Sequence, residues 1–230
     1  MGKRENDIKA LLLRCESDLK TIKKSYSISL NAQQVSTGLL IDIKNFFENL
    51  RSILDYIAHD IREKYCLSAD PKAKFYFPIS STKMDFETKT AKWFPGLKGS
   101  SPDFWEYLEC VQPYNKGFHW LAVFNKINNE NKHGSLVAQT RTEIEQVHVS
   151  FPNGEVNWIP GNVRFSQGVF IGGVPVDPKT QMPVPHPSQK VERVIWVDFH
   201  FTGENFSVID FLNECHLGIS KIVEVTERWL

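Results

Sequence analysis

Cysteine is scarce and scattered: Cys15, Cys66, Cys110 and Cys215 are the four in 230 residues, and no two stand as a C-x-x-C pair. That spacing argues against a zinc-finger framework or a disulfide-stapled scaffold and reads as reduced, mostly buried thiols of a cytosolic protein. No apolar run is long enough to span a bilayer. The start, Met1-Gly2-Lys3-Arg4-Glu5-Asn6-Asp7, has neither the apolar core nor the small-residue cleavage site of a secretory leader. Met1-Gly2 opens like a myristoylation signal, yet residue 6 is Asn where that signal takes Ser or Thr. The expectation is a soluble, cytoplasmic protein with no membrane partner. An excess of charge is missing as well, since Lys plus Arg and Asp plus Glu number 27 each. A balanced chain has no net field to draw it onto nucleic acid or anionic lipid, although a local basic face is still open to it. G-x-S-x-G, P-loop and G-x-G-x-x-G patterns do not occur, so no nucleotide cofactor is expected, and Gly172-Gly173 reads as a bulge or bend within a strand.

What is present is a strongly patterned chain, long enough for one large domain or two small ones. Ile8, Leu11, Leu12, Cys15, Leu19 and Ile22 recur at helical period and predict an amphipathic helix over residues 5–25. A second helix begins between Asn31 and Thr37, carries Leu40, Ile43, Phe47, Leu50, Ile53, Leu54, Ile57 and Ile61, and ends near Tyr65 or Cys66. Phe75-Tyr76-Phe77-Pro78-Ile79 is forced into extended form by its proline. Shorter helices follow over 83–93, from a Ser101-Pro102 start to Val111, and over 118–132, the last with Gly134 as a candidate cap.

After Leu136 the period changes to alternation. Strands are expected at 144–151 and 155–159 around Pro152-Asn153-Gly154, then at 162–166, 168–174 and 193–201, where Ile195, Val197, Phe199 and Phe201 share a face. The proline-rich stretch 175–187 reads as a loop too poor in donors for a central strand. Ser207 caps a closing helix with Val208, Phe211, Leu212, Cys215, Ile219, Ile222, Val223 and Trp229 on its apolar stripe. The fold class is therefore α+β: a helical bundle over 1–136, a small antiparallel β insertion over 137–203, and a closing helix over 204–230 that packs back on the bundle.

Polar residues inside these helices mark where chemistry is possible. Arg51, Asp55 and His59 stand at i, i+4 and i+8 beside the apolar arc of the second helix. One reading makes Arg51 a phosphate or carboxylate clamp and His59 a proton shuttle oriented by Asp55. The plainer one makes them a solvated ladder of opposite charges, like Glu48 and Arg62. Asn131 falls within the arc of Trp120, Phe124 and Ile127, so it is expected to be buried. With Lys132 it would lock the end of its helix to the central one, with Asn49, Arg51 or the backbone end of a neighbouring helix supplying partners. His133, beside Gly134, reads as a polar helix end. His119, His133, His148 and His200 lack the i, i+4 spacing and companion carboxylates of a metal site, so no metal is expected. Phe104, Trp105, Tyr107, Tyr114, Phe118 and Trp120 read as core, with a ligand groove as the alternative.

Four motifs stand in order between residues 45 and 134: Asn49-Leu50-Arg51-Ser52-Ile53-Leu54-Asp55, Phe77-Pro78-Ile79, Gln112-Pro113-Tyr114 and Asn131-Lys132-His133. This set resembles a widespread group of uncharacterised bacterial proteins with N-L-R-S-A-L-D-H, F-P-I, Q-P-Y and D-K-H-R motifs. The first motif is also similar to the R-x4-6-H signature of HEPN helical domains. That resemblance implies a HEPN-like bundle, and for its catalytic members a metal-independent ribonuclease of a defence or toxin-antitoxin system. Arg51, Asp55, His59 and His133 would then be the site residues. The chain departs from the signature: Tyr56 stands where the histidine falls when four residues separate it from Arg51, His59 lies outside the spacing, and Asn131 and Gly134 replace Asp and Arg. Two functions stay open. The first is a non-catalytic binding or interaction module that self-associates or takes a protein partner. The second is the ribonuclease, with RNA as its partner.

Overall fold

In the computed structural model, residues 2–32, 35–133, 139–201 and 206–230 are described, with the side chains of 30–32, 131–133, 139–144 and 193–200 outside that description. Among the described residues the chain forms seven helices and two three-stranded antiparallel sheets, a mixed α+β architecture. It divides into two compact units, one comprising residues 1–139 and 201–230, the other residues 140–200. The boundaries expected at 136/137 and 203/204 fall outside the described residues.

The first unit is built on two long helices. Helix α1 (Glu5–Ala32) buries Ile8, Cys15, Leu19, Ile22 and Tyr26. It runs well beyond the expected residue 25 because Tyr26 and Ser29 extend the buried stripe and no Gly or Pro interrupts it. Helix α2 (Thr37–Tyr65) starts where Ser36 Oγ accepts the Leu39 N–H at 3.1 Å and packs along α1. Its broad stripe, from Leu39 to Ile61, is the axis of the core. Helix α7 (Val208–Thr226), capped by Ser207, packs on α1, on α2 and on α6 (His119–His133). Phe47 of α2 meets Phe124, Phe201 and Phe211 with ring centroids 5.7–6.2 Å apart.

Between α2 and α6 lie α3 (Lys83–Trp93), the short α4 (Leu97–Ser100) and α5 (Pro102–Cys110). Pro102 takes the first helical position as expected, but the Ser101 side chain makes no capping bond. Gly134 lies outside the described residues. No helix among the described residues is long and apolar enough to cross a membrane.

The second unit holds both sheets. Strands β1 (Gln139–Phe151) and β2 (Gly154–Trp158) pair with Phe151 opposite Gly154, and β6 (Lys190–Phe201) lies on the other side of β1. The hairpin loop is thus Pro152-Asn153, and Gly154 is already in the strand. Proline holds φ negative at the first loop position, so the turn is not the type I′ form that an Asn-Gly pair would build.

Two strand expectations are corrected here. Residues 162–166 form no strand and contribute one isolated bridge between Pro160 and Val163. The run 168–174 is a hairpin, β3 (Phe170–Ile171) and β4 (Val174–Asp177). Gly172 and Gly173 form its turn at φ +54° and +83°, positive values that suit a two-residue I′ turn. The stretch 175–187 is not a plain loop either. β4 is the middle strand of the second sheet, between β3 and β5 (Met182–Pro183). Pro175 is tolerated there because it only accepts, its carbonyl taking the Val184 N–H at 3.0 Å while Val176 N–H donates to Val169. Val147, Val149, Trp158, Ile171 and Val176 make this unit's core.

Candidate functional site

The extended segment 75–80 belongs to no sheet, so its peptide groups must find side-chain partners. Asp55 and Arg51 of α2 supply them at Phe77. Asp55 Oδ1 accepts the Phe77 N–H at 3.1 Å, and Arg51 Nη2 donates to the Phe77 carbonyl at 3.4 Å. The two side chains, one helical turn apart, are themselves an ion pair of 3.1 Å. Gln112, fully buried just after α5, holds the same segment further on. Its Nε2 donates to the Pro78 carbonyl at 3.1 Å and to Leu108 at 2.7 Å, while Oε1 accepts the Ser80 N–H at 2.9 Å. Pro78 has no N–H to satisfy, so only its carbonyl requires a partner. The N-L-R-S-I-L-D, F-P-I and Q-P-Y motifs are therefore one hydrogen-bonded assembly.

Against this assembly lies a groove of about 530 Å³, a ligand-sized volume. Arg51 and Phe77 stand at its base, Tyr76 and Ile79 come from the extended segment, Lys89 and Trp93 from α3, and Asn125 and Asn129 from α6. Arg51 is only 7% exposed, and its Nη1 also donates to Asn125 Oδ1 at 3.4 Å. Lys89 Nζ is 2.6 Å from Asp85 and 3.1 Å from the Ile79 carbonyl. That ammonium holds the Asp85 carboxyl below the usual carboxylate range. Tyr76, half exposed, meets Trp93 edge to face at 6.1 Å. The groove thus offers two aromatic rings, two cations already paired with carboxylates, and two carboxamides.

The sequence-predicted residues separate in space. Arg51 and Asp55 act together, but a solvated ladder does not form, because Arg51 is buried under the extended segment. Arg62, expected to be solvated like Glu48, is also buried, its guanidinium 4.2 Å from the centroid of the Phe75 ring. His59 is exposed, packs against Phe75 at 4.6 Å, and is not a groove residue. Asn49 reaches Asp18 of α1 at 3.5 Å rather than Arg51. The side chains of Asn131, Lys132, His133 and His200 lie outside the described residues.

His119 is exposed. His148 contacts Asn157 across the β1–β2 pair, with Glu155 3.7 Å from its other nitrogen. Among the described residues no three His, Cys, Asp or Glu side chains converge to hold a metal ion. Cys15, Cys66 and Cys215 are buried and Cys110 is exposed; burial pushes the Cys15 thiol up to about 12 and that of Cys66 to about 11.

Of the aromatics read as core, Phe104, Trp105 and Trp120 are buried. Phe104 and Tyr107 stack on Trp229 at 5.0 and 5.4 Å, and Trp105 packs on Phe86 at 5.2 Å. The groove's own rings, Tyr76 and Trp93, carry no signal in one sequence, whereas its amides, Asn125 and Asn129, fall in the run Asn125–His133, where amides among core aliphatics already suggest a polar network or a site. Asn128, in the same run, is 1% exposed and neither end of its amide has a hydrogen-bond partner among the described residues.

These features define an α+β protein with a polar, aromatic groove in its helical unit. Comparison of the chain with family models, with curated proteins and with solved structures gives no match.

Proposed function

We propose that this protein is a non-catalytic, HEPN-like binding module whose partner seats in the groove walled by α3, α6 and the extended segment. The observation that carries the reading is the commitment of Arg51. Its guanidinium is buried and engaged with Asp55, the Phe77 carbonyl and Asn125, an arrangement that positions a neighbouring segment rather than leaving donors for a scissile phosphate. No described histidine lines the groove beside it. Tyr56 occupies the signature position, so the imidazole that would exchange a proton there is missing.

The ribonuclease alternative is tested directly. Purified full-length protein is incubated with mixed-sequence RNA in EDTA, and the expected outcome is intact RNA. Metal-independent cleavage that disappears on Arg51→Ala, with the fold retained by circular dichroism, overturns the binding-module reading.

A further inference from the structure

We infer that the groove binds an extended peptide segment of low net charge through its backbone, with Asn125 and Asn129 as the residues that read it; this rests on the binding-module reading above. A carboxamide is the side-chain counterpart of a peptide unit, with donor and acceptor side by side. Asn125 and Asn129 are one turn apart on α6, about 6 Å along its axis at 1.5 Å per residue. An extended chain repeats the same edge every two residues, about 6.6–6.8 Å. A strand laid along α6 therefore presents successive same-edge peptide units to successive asparagines.

Both amides have capacity to spare. Among the described residues Asn129 makes no hydrogen bond, and Asn125 uses only its Oδ1, which accepts from Arg51. On the facing wall the backbone N–H and C=O of Tyr76 are also unpaired among the described residues.

Charge argues for a peptide over a polyanion. Each groove cation is already matched, Arg51 by Asp55 and Lys89 by Asp85, so a phosphate chain would have to compete with an existing carboxylate at each. The Tyr76 and Trp93 rings give apolar or proline side chains a surface to pack on.

The test uses the full chain. Randomised short peptides displayed on phage are selected on the immobilised protein, and an enriched peptide is synthesised with a fluorophore for anisotropy. Asn129→Ala, a change at an exposed position, should weaken binding about tenfold with an unchanged melting temperature. Single N-methylation along the peptide backbone should weaken binding at every second position and spare the positions between. The inference is overturned if selection on the wild type enriches nothing beyond selection on an Asn129→Ala, Trp93→Ala double variant, or if the N-methyl series shows no alternation. It is equally overturned if an unstructured oligouridine probe binds and is lost on Asn129→Ala, which would make nucleic acid the occupant. RNA cleavage in EDTA would instead remove the binding-module reading itself, whereas intact RNA with no selectable peptide removes only the peptide occupant.

Discussion

Arg51 and Asp55 together replace the strand partner that the Phe77 peptide group lacks, and that role decides what their loss would cost. Truncating Arg51 leaves the Asp55 carboxylate without its cation and the Phe77 carbonyl without its donor. Arg51→Ala should therefore destabilise the protein by about 2–4 kcal/mol, well above the loss typical of an exposed ion pair. Arg51→Lys should recover only part of this, because a single ammonium cannot address three acceptors in the fixed fork of a guanidinium. Urea unfolding of the two variants checks the order.

Asn128 is the opposite case. Both ends of its amide are buried without partners among the described residues, which leaves their desolvation uncompensated there. Asn128→Leu, which keeps the same branched four-atom skeleton with bulkier methyl ends and is a better helix former, should raise stability by about 1 kcal/mol, read as a higher melting temperature. A lower melting temperature would show that the amide is satisfied in solution.

At the scale of elements, Gly218 shows how packing reverses a propensity. It lies inside α7, where glycine is about 1 kcal/mol less favourable than alanine on propensity alone. Yet a Cβ at Gly218 would overlap the Trp120 indole of α6, so that helix approaches α7 only because the side chain is absent. Gly218→Ala should accordingly destabilise by about 1–3 kcal/mol instead of stabilising, and Trp120 fluorescence should change with it.

The extended segment 75–80 makes a related point. Gln112 gives it two hydrogen bonds from a fully buried position, to Pro78 and Ser80, and anchors itself to the Leu108 carbonyl of α5 with a third, so the segment's conformation is held by tertiary partners as well as by Pro78.

For the whole molecule, charge balance and paired groove cations lead to one expectation about polyanions. Generic single-stranded RNA or DNA should bind weakly, and that binding should vanish at physiological salt, as fluorescence anisotropy can measure. Tight binding that survives such salt would reveal a basic surface.

What the sequence determined by itself was whatever depends on near neighbours along the chain. The stripes of α2 and α7, the Ser207 cap and the extended form before Pro78 follow from period, capping chemistry and proline sterics within a few residues. Even locally, Gly172-Gly173 was ambiguous, because the same pair suits a bulge or a tight turn until strand pairing chooses between them. Only the tertiary structure decided the site. Helical spacing placed Arg51 beside Asp55, but whether that pair met water or a buried backbone depended on Phe77 and Asn125, 26 and 74 residues from Arg51 in the chain. Likewise Asn125 and Asn129 became groove residues only when α6 came to rest opposite α3 and the extended segment. Hydrogen bonds and grooves between distant segments depend on where those segments dock, and no local pattern in a single chain records that.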